Sequence, residues 1–338
     1  MQAEILVPLD GSLVAETALP PALALARALA GSLTLLRVTP PTLGAEPLAE
    51  AIQAPVITYR PRTEDRDQAD AYLAGVAQRL DATGVPLRIV VLRGDPATAI
   101  VQYAREAPDV RLIAMATHGR SGISRWVFGS VAEKVLRATP TPLLLVRPAG
   151  DGMAPSPVHP LPYRTIVVPL DGSLVAEQAL DQAYEVATAT GASLLLVAVV
   201  PEPDEFLAAE VGDIPVWMLE DRMAETERLH TYLQRQAARL MNAGLTVEIQ
   251  VVAGSPAPAI LDSAAETGAD LIVMATHGRG GLQRLWMGSV ALKVVQSART
   301  PVLLVRAQQA RTPRVAESGP RVAVARRVEK EFVAGGHS

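Results

Sequence analysis

The sequence predicts an α/β protein built as two tandem domains, each an open parallel sheet with helices on both faces. Three observations point there. Ile5-Leu-Val-Pro-Leu-Asp-Gly-Ser-Leu-Val-Ala-Glu16 returns as Ile166-Val-Val-Pro-Leu-Asp-Gly-Ser-Leu-Val-Ala-Glu177, and Met115-Ala-Thr-His-Gly-Arg120 returns unchanged as Met274 to Arg279. A period of about 160 residues is far beyond the solenoid range and marks whole domains. Runs such as Leu143-Leu-Leu-Val146 and Leu271-Ile-Val-Met274 are apolar at consecutive positions, as strands covered on both faces require. Between such runs the period becomes helical, with Leu73, Val76, Ala77 and Leu80 in one copy and Leu229, Leu233, Ala237 and Leu240 in the other; these are core-facing positions.

In chain order, the first copy reads as strands over Ile5–Leu9, Leu33–Val38, Leu87–Leu92, Leu112–Ala116 and Leu143–Arg147. The second reads as strands over Thr165–Leu170, Leu194–Val200, Thr246–Val252, Leu271–Ala275 and Val302–Arg306. Strand, helix, strand in repetition gives right-handed crossovers, and such sheets bind ligands beyond the carboxyl ends of their strands. One local conflict stands out. Pro20-Pro21 falls inside the first predicted helix, where the second copy has Asp181-Gln182. Proline removes backbone donors and clashes with the preceding turn, so a kink or late start is expected.

The resulting organisation is a domain over residues 1–148, a linker at 149–161, a second domain over 162–306 and a tail at 307–338. The linker region carries Ala-Gly-Asp-Gly, Pro-Ser-Pro and His-Pro-Leu-Pro, a turn-rich composition. Pro40–Pro61 and Pro201–Pro215 differ between the copies and read as loops over the site mouths. The tail mixes Arg, Glu, Gly and Pro without clear periodicity, and is expected to be disordered or to fold on a partner.

Composition narrows the function classes. A chain of 338 residues without cysteine excludes disulfides, thiolate metal sites and a cysteine nucleophile. Net charge −4 disfavours a general nucleic-acid binder. The opening Met1-Gln-Ala-Glu-Ile5 lacks the features of a signal peptide, and Leu194–Val200, the longest apolar run, is too short to cross a bilayer. A soluble cytoplasmic protein is expected.

Two loops in each copy are candidates for chemistry. Asp10, at the end of the first strand in Pro8-Leu-Asp-Gly-Ser12, places a carboxylate at the crevice, where it could accept hydrogen bonds from a ribose or a base edge. The same residues, repeated at Pro169–Ser173, also read as a strand-to-helix turn in which Ser12 caps the next helix. The second loop runs Ala116-Thr-His-Gly119, nine residues, then Gly129-Ser130-Val131, repeated as Ala275-Thr-His-Gly278, nine residues, then Gly288-Ser289-Val290. Glycine allows positive φ and close backbone approach, and a helix starting at the serine adds free amides; together they suit a phosphate cradle. Ser130-Val-Ala-Glu133 also fits a capping box, whereas the second copy has Leu292 at the glutamate position. His118 and His277 lack the companions of a catalytic or metal set and read as loop residues. Arg120, Arg125, Arg279 and Arg284 could pair with phosphate or stand in solvent, while Trp126, Phe128 and Trp286 read as packing residues.

At these residues the chain closely resembles the universal stress protein family in a tandem two-domain form. The resemblance spans roughly 1–148 and 162–306 and rests on the strand-Pro-x-Asp-Gly-Ser turn, the late glycine motif and the final Thr-Pro-x-Leu-Leu-Val-Arg strand. It implies a Rossmann-like, adenine nucleotide α-hydrolase-like sheet of order 3-2-1-4-5, binding ATP or AMP between strands 1 and 4. Adenine and ribose contacts then map onto Pro8, Asp10 and Val38, and onto Pro169, Asp171 and Val199. Phosphate contacts map onto Met115, Ala116, Gly119, Gly129, Ser130 and Val131, and onto Met274, Ala275, Gly278, Gly288, Ser289 and Val290. Pairing through last strands implies an internal pseudo-dimer via Leu143–Arg147 and Val302–Arg306. Both copies depart from the ATP-binding pattern by carrying alanine, Ala116 and Ala275, at its first glycine, where a methyl narrows the approach to phosphate and disfavours positive φ.

The expected function is therefore an adenine-nucleotide-binding stress-response regulator or interaction module rather than an enzyme. Mg²⁺ could be shared between Asp10 or Asp171 and bound phosphates. A homo-oligomer of the pseudo-dimer and an unidentified protein partner belong to this expectation; membrane binding does not. The alternatives are a slow ATPase of the adenine nucleotide α-hydrolase group and a nucleotide-free interaction protein. Ser-Gly-Gly-x-Asp-Ser, His-x-Gly-His and Walker Gly-Lys-Thr sequences are all missing.

Overall fold

The protein is described by a computed structural model covering residues 3–39, 64–117, 129–148, 163–202, 216–276 and 287–306. The first half runs β1 (Glu4–Pro8), α1 (Leu13–Glu16), α2 (Leu19–Ala28), β2 (Ser32–Thr39), α3 (Glu64–Leu80), β3 (Leu87–Arg93), α4 (Pro96–Glu106), β4 (Val110–Ala116), α5 (Ser130–Ala138) and β5 (Leu143–Val146). The second half runs β6 (Thr165–Pro169), α6 (Leu174–Thr190), β7 (Ser193–Val200), α7 (Val216–Asn242), β8 (Val247–Ala253), α8 (Pro256–Glu266), β9 (Leu271–Ala275), α9 (Ser289–Ser297) and β10 (Val302–Val305). Every strand expected from the sequence forms, with ends moved by a residue or two. The linker, the loops beyond Thr39 and beyond Glu202, and the tail all lie outside the described residues.

The strands join into one ten-stranded sheet of order β3-β2-β1-β4-β5-β10-β9-β6-β7-β8. Within each half all pairs are parallel, in the order 3-2-1-4-5. The halves meet at a single antiparallel pair, in which Leu143, Leu144 and Leu145 stand opposite Leu304, Leu303 and Val302. Antiparallel joining reverses the strand direction, so the carboxyl ends of the two halves point to opposite edges of the sheet.

Two apolar layers sandwich this sheet. One runs continuously through both halves beneath α1, α2, α3, α6 and α7, with Leu23, Leu73, Leu180 and Leu233 among its members. The other lies under α4, α5, α8 and α9 and includes Ile100, Val135, Ile260 and Val294. Strand alternation feeds both: Leu33 and Leu35 enter the first layer and Leu36 the second. The inner strands are covered on both faces as expected, but β3 and β8 at the sheet edges are half-exposed along most of their length.

The double proline does what its chemistry demands. In the second copy α6 is continuous, whereas in the first the helix stops at Glu16 and restarts at Leu19. Pro20 and Pro21 then occupy the first turn of α2, where their missing N–H groups leave no helical bond unmade.

Beyond the shared strands, hydrogen bonds from three residues pin the halves among the described residues, besides an ion pair between Arg111 and Glu185. The Tyr163 hydroxyl, just after the linker, donates to the Pro21 carbonyl at 3.0 Å. Arg147, trailing β5, donates to the Gln296 carbonyl in the last turn of α9 at 2.7 Å. Arg306, trailing β10, donates to the carbonyls of Arg137 and Thr139 at the end of α5, both at 3.1 Å. Each arginine thus satisfies terminal carbonyls of the other half's last helix and meets the negative end of its dipole. Among the described residues no helix is long and apolar enough to cross a membrane.

Candidate functional site

The turn after β1 shows how one short sequence serves two ends. The backbone N–H and hydroxyl of Ser12 both donate to one Asp10 carboxylate oxygen, at 2.9 and 2.6 Å, while the Ser12 oxygen accepts from the Ala15 N–H at 3.1 Å. Ser12 is therefore the N-cap of α1, and Asp10 holds the cap in place. Gly11 completes the turn at φ +86°, a region that disfavours side chains. Asp171, Gly172 and Ser173 repeat the arrangement, with distances of 3.0, 2.6 and 3.1 Å and φ +80° at the glycine.

The second loop departs from expectation in two ways. Gly129, not Ser130, is the N-cap of α5, and no side chain caps that end; Gly288 likewise precedes α9. The capping box is thus absent. Glu133 instead pairs along the helix with Arg137, one turn on, because the serine sits one residue too far into the helix to accept from Glu133. Nor do Gly129 and Gly288 use positive φ: their values are −53° and −68°. Their contribution is the missing side chain at the helix entrance. The excursion between β4 and α5 is closed at its base, since the Gly129 N–H donates to the Thr117 carbonyl at 2.6 Å, as Gly288 does to Thr276.

These elements enclose a cavity of about 230 Å³ at the carboxyl ends of β1, β2 and β4. Of the residues singled out from the sequence, Pro8, Asp10, Val38, Met115, Ala116, Gly129, Ser130 and Val131 line it. Gly119 and its counterpart Gly278 lie outside the described residues, as do His118, His277 and the arginines and aromatics of the spacers. Ala116 ends β4 opposite Val146. Ala30 is the sole non-glycine at positive φ among the described residues, so the alanine that replaces the motif's first glycine bears no backbone strain and turns its methyl into the wall. Sequence reasoning missed Leu36, Pro96, Ile100 and Thr117, which also line the cavity. Pro96-Ala-x-Ala-Ile100 recurs as Pro256-Ala-x-Ala-Ile260, and that second, quieter repeat was the available signal.

The second half carries the same wall. Of the fifteen lining residues, all but one recur at the equivalent position, the exception being Val197 for Leu36. Pro169, Asp171, Val199, Met274, Ala275, Gly288, Ser289 and Val290 occupy the matching strand ends and helix start. Elsewhere the copies have drifted: β3 reads Leu-Arg-Ile-Val-Val-Leu-Arg and β8 Val-Glu-Ile-Gln-Val-Val-Ala.

Polar groups flank the first cavity. Glu16, almost fully buried, accepts from the Tyr72 hydroxyl at 2.9 Å and from Arg79 at 2.5 Å. Burial, then the bond to Glu16, raises the Tyr72 phenol well above its ordinary range. The Arg37 guanidinium lies 4.9 Å from the centre of the Tyr72 ring. Across the cavity, hydrogen bonds from Thr98 hold the Asp95 carboxyl below its usual value, with Lys134 adding to the effect. Among the described lining residues, Asp10 is the only ionisable one.

Comparison with known proteins agrees with this architecture. The sequence matches the universal stress protein family twice, over residues 1–147 and 162–306. A universal stress protein of Mycobacterium tuberculosis is 25% identical over 321 residues, 90% of this chain and 95% of that protein. Another from the same organism is 28% identical over 216 residues, 62% of this chain and 66% of the relative, just under two thirds of its length. Among solved structures, a universal stress protein from Archaeoglobus fulgidus superposes with a TM-score of 0.60 at 21% identity, covering 90% of this chain and 98% of that one, a likeness of fold. With both halves matched, the chain belongs to the universal stress protein family.

Proposed function

We propose that each half binds one adenine nucleotide, ATP or AMP, and that the protein acts in stress response through its ligand-dependent stability and associations rather than through turnover. The observation that carries this reading is that the described residues lining the first cavity recur, all but one, at equivalent positions of a second half that differs elsewhere. The wall has a base-shaped chemistry: Leu36, Val38, Ile100 and Met115 offer apolar faces, and Asp10 stands at the rim as an acceptor. At about 230 Å³ the cavity lies just below the ~300–1,000 Å³ common for ligand pockets. That suits a base and sugar, with phosphates extending past Gly129 and Ser130 to the uncapped start of α5, whose N–H groups favour anions.

The same wall argues against hydrolysis. Asp10, the one ionisable residue among those described in the lining, already accepts two bonds from Ser12, and phosphoryl transfer needs positioned charge around the reacting phosphate. Mg²⁺, if carried in with the nucleotide, would find Asp10 or Asp171 as a single carboxylate; no cluster of three metal-ligating side chains exists among the described residues.

Calorimetric titration of the intact protein with ATP and AMP tests the reading, alongside identification of any nucleotide released on denaturation. Saturable binding at two sites per chain is expected. Absence of heat and of any thermal shift at millimolar nucleotide would reject it.

A further inference from the structure

The two halves share the residues of the cavity wall but not the charges around them. In the first half Asp95 is the N-cap of α4, accepting from the Thr98 N–H and hydroxyl, both at 3.1 Å, and facing Lys134 Nζ at 3.6 Å. Lys134 lies one turn along α5 from Ser130, on the same helix face. This ion pair therefore spans α4 and α5 beside the end of the cavity where phosphates would emerge. In the second half Ser255 takes the place of Asp95 and makes no side-chain cap bond, while Lys293 keeps the place of Lys134, one turn from Ser289. Among the described residues Lys293 has no acidic partner.

The opposite end differs in the complementary sense. Arg37 lies over the turn that follows Asp10, so close that a Cβ on Gly11 would come within 2.8 Å of its guanidinium. Ala198 stands at that position of β7. The first site thus has a cation at each end, Arg37 over the turn after Asp10 and Lys134 paired with Asp95. The second site keeps Asp171 at the nucleoside end and Lys293 at the phosphate end, and is polarised along the ligand axis.

We propose, building on the nucleotide reading above, that the two sites discriminate differently by phosphate number. The second, with Lys293 unmatched among the described residues, favours ATP over AMP more steeply than the first, where Asp95 offsets Lys134. Both charges are solvent-exposed in the first half, so the contrast is modest. A water-screened unit charge at this range, acting on the extra phosphates of ATP, gives a difference in preference of about three- to tenfold, and added salt erodes it.

Met115 and Met274 are the equivalent buried strand-end residues of β4 and β9, the first lining its cavity. Their ¹³C-methyl NMR signals therefore report the two sites separately in the full chain. Titrations with adenosine, AMP and ATP should give an ATP-to-AMP affinity ratio about three- to tenfold higher at Met274 than at Met115. Asp95→Asn, which retains a capping side chain but removes the charge, should raise the first ratio toward the second. Ser255→Asp should lower the second ratio, and Ser255→Asn should leave it unchanged. Equal ratios in the parent protein, or ratios indifferent to Asp95→Asn and Ser255→Asp, overturn the charge asymmetry while leaving nucleotide binding standing. Methyl signals that respond to none of the three ligands overturn both.

Discussion

Two serines in near-identical sequence contexts do different work. Ser12 accepts from Ala15 and donates to Asp10, so Ser12→Ala removes a helix cap and should cost about 1 kcal/mol. Ser130, one residue inside α5 rather than at its cap, has no such duty. Ser130→Ala should leave the urea midpoint within the scatter of surface substitutions, about 0.5 kcal/mol, yet weaken nucleotide binding in the first half if its hydroxyl reaches phosphate. Paired denaturation and titration of the two variants checks this. A destabilised Ser130→Ala protein would restore the capping box that the backbone geometry removes. From sequence alone both serines read as caps, each following a glycine just before a helical run, and a one-residue shift of the helix start decides which serine caps.

At the scale of elements, the duplication supplies its own controls. The helix before β7 ends on Gly191 at φ +73°, but the equivalent residue before β2 is Ala30, held at φ +47°. A left-handed alanine costs roughly 1–2 kcal/mol, and glycine's greater unfolded-state freedom returns roughly 0.5–1 of it. Ala30→Gly should therefore stabilise the protein by about 0.5–1 kcal/mol, read as a raised denaturation midpoint. The next residue behaves oppositely: a Cβ on Gly31 would sit 2.2 Å from the Ala3 carbonyl oxygen, and Gly31→Ala should cost about 1–3 kcal/mol. The strands were legible because apolar runs and breaks repeat in both copies, and the split of α1 from α2 because proline chemistry is local. The contribution of α4 to the cavity was not, since Pro96 and Ile100 read simply as a helix start and a core residue. Only the crossover that lays α4 over β2 and β4 brings them to the wall.

At the scale of the whole molecule, sequence reasoning reached the join but not its consequences. The family resemblance implied that β5 and β10 pair, yet only the assembled register shows that they do so antiparallel and that the carboxyl ends of the two halves' parallel strands face opposite edges of one sheet. A ligand in one half is thus remote from the other and can influence it only through the shared layers. Those layers are substantial: one apolar cluster runs unbroken from Leu23 and Leu73 to Leu180 and Leu233, and Leu144 and Leu303 are fully buried at the join. The halves should therefore unfold together. Calorimetry is expected to give one transition with van't Hoff and calorimetric enthalpies in agreement, and nucleotide should shift that whole transition by mass action. Leu303→Ala, which empties part of the join, should cost about 2–5 kcal/mol. Tyr163→Phe, which removes only the bond to Pro21, should cost about 1 kcal/mol and leave the transition single. Two resolved transitions in the parent protein, or a Leu303→Ala effect confined to one half's melting, would show that each half is stabilised by its own core and that the continuous sheet merely holds them side by side.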